Sequence, residues 1–129
     1  MSLRSPLGRV LGLGSAKGGS GHWYSQRITA VALVILGLWF VASLLMLGHG
    51  APHESVVAWL RSPFSAVMAL LLIVVGAYHA QLGLQVVFED YVGDRGTRVV
   101  VLVAIKFALV VAALIGVLAV LRLAFGAQA

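Results

Sequence analysis

The chain has 129 residues, 61% of them hydrophobic and only 10% charged, with a formal net charge of +5 and no cysteine. Soluble domains carry about 25% charged residues, so this composition excludes a globular protein that solvates its own surface. It also excludes disulfides and thiolate-held iron–sulfur clusters within the chain, and the basic residues flank apolar runs rather than forming the stripe that nucleic-acid binding needs.

Three apolar runs account for the composition. Residues 28–47 carry no charge, 64–88 carry no formal charge but include His79, Gln81 and Gln85, and 99–121 carry only Lys106. Each reaches or exceeds the ~20 residues a helix needs to cross ~30 Å of hydrocarbon. Backbone groups in lipid must be satisfied within the segment, so the expectation is an all-α integral membrane protein with three transmembrane helices, at about 24–47, 63–92 and 97–124. The first run is longer than a signal-peptide core and two more spans follow it, so it reads as a retained helix. Arg4, Arg9, Lys17 and Arg27 precede the first span and Arg95 and Arg98 follow the second, whereas only Arg61 and Arg122 fall on the other side. That asymmetry puts the N-terminus and the 89–98 loop in the cytoplasm, or in the matrix of an organelle.

Taken in order, residues 1–21 are rich in Gly, Ser and basic residues and read as a flexible cytoplasmic segment ahead of an anchor domain at 22–129. At His22-Trp23-Tyr24-Ser25-Gln26-Arg27 the character changes, and Trp23 and Tyr24 suit the headgroup belt. Arg27 has two readings: an interfacial charge whose stem snorkels, or a guanidinium reserved for a carboxylate on a bound group. The first span ends at Gly48-His49-Gly50. Beyond it, the apolar patch 56–60 predicts a short interfacial helix with Trp59 at the membrane surface. His49 and His53 have the i, i+4 spacing of a metal pair, but Gly50 and Pro52 between them oppose a regular helix, and no metal site is expected there. Ser62-Pro63 is a start signal for the second span, with serine as cap and proline in the first turn. The turn Gly93-Asp94-Arg95-Gly96-Thr97 is short, which makes the second and third spans antiparallel neighbours. Lys106 lies about two turns into the third span, within reach of the interface for a snorkelling stem.

The chemistry concentrates in the second span. His79 stands about 14 Å inside its cytoplasmic end, a depth at which an ionisable side chain is either functional or hydrogen-bonded to a neighbouring helix. Gly76 and Gly83, at i−3 and i+4, share its face. They permit close helix packing, or they leave space for a flat macrocycle beside an imidazole that ligates haem iron. Asp90 follows His79 by eleven residues, close to three turns, so it lies on the same face about 16 Å further along. Tyr91 and Asp90 read as a belt aromatic and a solvated helix-end charge, or as a phenol donor and a proton relay for a quinone that takes up two protons with its two electrons.

His79, the spacing to Asp90-Tyr91-Val92, and the upstream His22-Trp23-Tyr24-Ser25-Gln26-Arg27-Ile28-Thr29-Ala30 together resemble the smaller hydrophobic membrane-anchor subunit of succinate dehydrogenase (complex II) over residues 21–95. The 48–62 loop and the third span match only in hydropathy. The resemblance implies that His79 is an axial ligand to haem b and that Tyr91 hydrogen-bonds ubiquinone. Asp90 matches the neighbouring acidic position, and Arg27 and His22 match a polar cluster near the haem propionates and the quinone pocket. It further implies that the second haem ligand comes from a larger cytochrome b anchor subunit, that this subunit and an iron–sulfur subunit complete the quinone pocket, and that a flavoprotein subunit oxidises succinate on the cytoplasmic face of the inner membrane. The chain itself carries no dehydrogenase site. Two alternatives stand beside this reading: the anchor of a fumarate reductase or another quinone-linked haem b complex, and a non-redox membrane scaffold in which His79 only packs.

Overall fold

The computed structural model describes residues 19–126. Among these the chain is all-α, with α1 (Gly19–Leu47), α2 (His53–Arg61), α3 (Pro63–Tyr91) and α4 (Arg95–Phe125) in order. Helices α1, α3 and α4 are long and apolar enough to cross a membrane, as the hydropathy pattern requires. Their 29, 29 and 31 residues rise about 45 Å each, enough to pass through the hydrocarbon into both headgroup layers. Helix α1 opens at Gly19, ahead of the span read from residue 24. Residues 1–18 of the segment read as flexible, with Arg4, Arg9 and Lys17, lie outside the described residues.

The helix ends follow from local chemistry. Helix α1 runs without proline until Gly48, whose N–H donates to the Leu44 carbonyl at 3.2 Å. Gly48 (φ +83°) and Gly50 (φ +77°) both adopt the left-handed region, which costs a residue with a Cβ roughly 1–2 kcal/mol. This tight turn sends the chain back into α2. Ser62 serves both neighbours: its N–H donates to the Trp59 carbonyl at the end of α2, and its carbonyl accepts from Ala66 in the first turn of α3. Its hydroxyl makes no capping bond, so the start of α3 rests on Pro63 at the first position.

Helix α4 is capped by a side chain. The Asp94 carboxylate accepts from the Thr97 N–H at 2.7 Å. That bond, with help from the Thr97 hydroxyl and the nearby Arg98 charge, holds the Asp94 carboxyl below the usual aspartate range near 3.9. The depressed pKa gives the sign of a pH effect. The capping contribution is complete above the unfolded value and is lost as pH falls through the folded one. The Thr97 amide is therefore expected to be protected from hydrogen exchange at neutral pH, to lose protection below about pH 4, and to be unprotected at every pH in Asp94→Ala.

Helix α3 is the centre of the fold. It packs against both α1 and α4, while α1 and α4 make no comparable contact with each other. Small residues let the backbones approach, as in other membrane bundles. Ser65, Ala66 and Ala69 of α3 are buried, and a Cβ at Gly116 of α4 would stand 3.3 Å from Ile73. Helix α2 closes one end of this layer. Leu60 buries against Ala69 and Val120, and Trp59 stacks on Trp39 of α1 with centroids 5.6 Å apart and planes at 21°. Phe64 meets the same Trp39 ring edge-on at 6.1 Å. Trp59 is thus turned in against aromatic neighbours and half-buried.

Outside these contacts the spans are bare. Val31, Val34, Ile35, Leu38 and Leu45 of α1 and Val103, Phe107, Val110, Leu114 and Leu118 of α4 are exposed. Such faces are stable only against lipid tails or the helices of another chain.

Candidate functional site

The polar site lies between α1 and α3. Its α1 side begins where the polar first turns give way to the apolar run. Thr29 falls one turn after Ser25 and Gln26 on the side facing α3, and Leu33 and Leu36 continue that stripe in hydrocarbon. The α3 side is the Gly76–His79–Gly83 face, and it points at this stripe. A Cβ at Gly76 would lie 3.9 Å from Leu33, and one at Gly83 would lie 3.6 Å from the Gln26 amide nitrogen. The two glycines therefore let α1 approach the α3 backbone on either side of the imidazole.

His79 is half-buried there and touches α1 through both ring nitrogens. Nδ1 is 2.8 Å from Thr29 Oγ1 and Nε2 is 3.4 Å from Gln26 Nε2. The first distance is that of a good hydrogen bond, whereas the second is at the weak end of the range. Thr29 Oγ1 in turn lies 2.8 Å from the Ser25 carbonyl and 3.2 Å from that of Gln26.

Towards the end of α3 a half-open cavity of about 730 Å³ lies between the two helices. Its wall includes His22, Trp23 and Gln26 from α1 and Gly83, Gln85, Val86 and Glu89 from α3. Two polar atoms in this region, His22 Nε2 and Gln26 Oε1, are buried without a hydrogen-bond partner among the described residues. Buried groups of that kind are rare. Gln85 is not free in this sense, since its amide donates to Glu89 Oε1 at 2.8 Å. His79 is not itself on the cavity wall. Gln26, which covers its Nε2, is.

The residues singled out in the sequence divide accordingly. His79 and His22 belong to this α1–α3 region. Arg27 is exposed one position round the helix, with its guanidinium 5.1 Å from the centroid of the Trp23 ring, a cation–π arrangement. Asp90 and Tyr91 are exposed in the last turn of α3, Tyr91 by 85%, and the acid on the cavity wall is Glu89. His49 and His53 are exposed at the other end of α1, near α2. Lys106 borders a separate cavity of about 200 Å³ between α3 and α4, with Tyr78 and Gln81. Gln26 and Thr29 were given no role by sequence reasoning. Their signal was present: two polar side chains three apart at the mouth of an apolar helix, one of them already inside the 28–47 run.

Three spanning helices and a half-buried imidazole, gripped by polar side chains of the adjacent span beside a cofactor-sized cavity, define an integral membrane protein with an internal polar site. The model for the succinate dehydrogenase/fumarate reductase transmembrane subunit matches residues 1–119, and the chain belongs to that family. It is 36% identical to the succinate dehydrogenase hydrophobic membrane anchor subunit of Rickettsia bellii over 80% of this chain and 82% of that one. It is 31% identical to the subunit of the same name from Paracoccus denitrificans, over 95% and 94%. The resemblance drawn from His79, Asp90-Tyr91 and the 22–30 stretch is thereby borne out.

Proposed function

We propose that this chain anchors a succinate:ubiquinone oxidoreductase in the inner membrane, holds one side of haem b through His79, and contributes Tyr91 and Asp90 to ubiquinone reduction. The observation that carries the reading is the state of His79. Its Nδ1 is satisfied by Thr29, while its Nε2 has only a long contact to a displaceable amide. A neutral imidazole with one nitrogen tied and the other available is what a metal ligand requires. The surroundings fit a large polar-edged group. The cavity beside the histidine has a volume usual for cofactor sites, is apolar at Val86, and has the polar side chains of His22, Gln26 and Gln85 on its wall.

When bound, haem b supplies one-electron transfer within the membrane. The chain's own residues do the rest by position. The α1–α3 contact sets the imidazole at depth. His22 and Gln26 line the cavity, and the Arg27 guanidinium lies over the ring of Trp23, another residue of its wall. At the end of α3 the Tyr91 hydroxyl donates to a quinone carbonyl and Asp90 passes protons from water, for a reaction that consumes two electrons and two protons per quinone. Both side chains are exposed, as a surface completed by other subunits demands.

The partners follow from the bare faces and the family. A larger cytochrome b anchor subunit covers the open helix layer and brings the second haem ligand. The iron–sulfur and flavoprotein subunits dock on the face bearing Arg95 and Arg98, which is the cytoplasmic one with the N-terminus. Succinate oxidation is favoured over fumarate reduction by the names of the two relatives given above. The test is to purify the tagged chain in mild detergent. Three co-purifying subunits, a haem b spectrum and succinate-driven ubiquinone reduction are expected. A chain that purifies without a Soret band or a flavoprotein overturns the proposal in favour of a non-redox scaffold.

A further inference from the structure

We infer that Thr29 is the positioning residue for His79: its hydroxyl oxygen accepts a hydrogen bond from the Nδ1–H and so fixes the tautomer that leaves the Nε2 lone pair free. Thr29 Oγ1 has one hydrogen and three neighbours within reach, and two of them are backbone carbonyls that can only accept. The shorter carbonyl contact, 2.8 Å to Ser25, is the back-bond that threonine habitually makes in membrane helices. With its proton directed there, Oγ1 faces the imidazole as an acceptor, and Nδ1 must carry the hydrogen. The other side of the ring agrees. The group nearest Nε2 is the Gln26 amide nitrogen, a donor, which calls for a lone pair on Nε2.

The consequence is a preorganised ligand. The neutral histidine side chain in water favours the proton on Nε2, so the opposite tautomer in hydrocarbon needs a dedicated acceptor. Thr29 is anchored within the first apolar turns of α1, and its short bond also sets the plane of the ring. Gln26 then acts as a placeholder. Its amide satisfies Nε2 weakly, at 3.4 Å, and can turn away when a stronger partner arrives. The hydrogen bond from Nδ1 further increases the donor strength of Nε2, which favours the more oxidised form of a bound metal.

The role in ligation rests on the proposed function above, and the tests separate the two. In the full-length chain, with histidine labelled by nitrogen-15, His79 is expected to show a protonated Nδ1 and an unprotonated Nε2. A protonated Nε2 overturns the inference whatever becomes of the haem. In the purified complex, Thr29→Val keeps the shape and removes the acceptor. Its haem is expected to titrate at a more positive potential and to give an altered ferric paramagnetic resonance signal, with Thr29→Ser restoring both. A Thr29→Val complex that titrates and resonates like the unaltered one overturns it, as does a Thr29→Ser complex that behaves like Thr29→Val. Failure of Thr29→Val to assemble leaves the nitrogen-15 measurement as the deciding one. Retention of a normal haem by His79→Ala would instead sink the ligation reading and leave the tautomer assignment standing.

Discussion

In a His79→Ala complex the haem b spectrum should disappear, or change to that of a centre lacking one axial ligand, while the complex still assembles. The separation of these effects comes from the geometry. The imidazole is half-buried, and its loss removes one good hydrogen bond, worth about 1 kcal/mol net. Thr29 keeps its bond to the Ser25 carbonyl, so no buried hydroxyl is orphaned. The contacts that join the helices lie elsewhere: Gly76 on Leu33, Ile73 on Gly116, and Leu60 between Ala69 and Val120. The fold therefore survives and the spectrum reports ligation. The measurement is an absorption spectrum per mole of flavin, with succinate oxidation by an artificial acceptor as the assembly control. An unaltered Soret band would end the assignment of His79.

For Tyr91→Phe, ubiquinone reduction by succinate should fall by tenfold or more in kcat/KM, with oxidation of succinate by an artificial acceptor unchanged. The side chain is exposed at the end of α3, so removing its hydroxyl leaves no hole and no unpaired partner among the described residues. On the proposed function, what is lost is a donor to the quinone. A neutral hydrogen bond alone accounts for about 0.5–1.5 kcal/mol, or roughly 2- to 12-fold. If the bond tightens as charge develops on the quinone oxygen, the loss moves toward the 10²-fold effects of general acid catalysis. A variant with unchanged quinone kinetics would place the donor elsewhere. Glu89, on the cavity wall beside Gln85, is the first candidate on this chain.

The membrane architecture was legible because hydropathy is a local, additive property. Each of the three apolar runs is long enough by itself to require a helix in lipid, and Gly48-His49-Gly50, Ser62-Pro63 and the turn Gly93-Asp94-Arg95-Gly96-Thr97 mark the ends without reference to anything distant. The depth of His79 and the glycines on its face were legible for a similar reason, since helical periodicity assigns a face from spacing alone. Periodicity does not say what stands opposite that face. Room for a macrocycle and close helix packing were both open at Gly76 and Gly83, and in the tertiary structure Leu33 and Gln26 come up against these positions.

The partners of the histidine were beyond the sequence for a physical reason. Thr29 and His79 are 50 residues apart, and their 2.8 Å contact depends on the relative rotation and axial register of two helices. In a bundle with no large buried core, small residues and one aromatic plug set that register, and neither is visible in a hydropathy profile. The same holds for Glu89, which lines the cavity whereas Asp90 does not. The sequence by itself determined that the chain spans the membrane three times and carries an imidazole at depth. Which nitrogen of that imidazole is held, and which is left available, was decided only when α1 packed against α3.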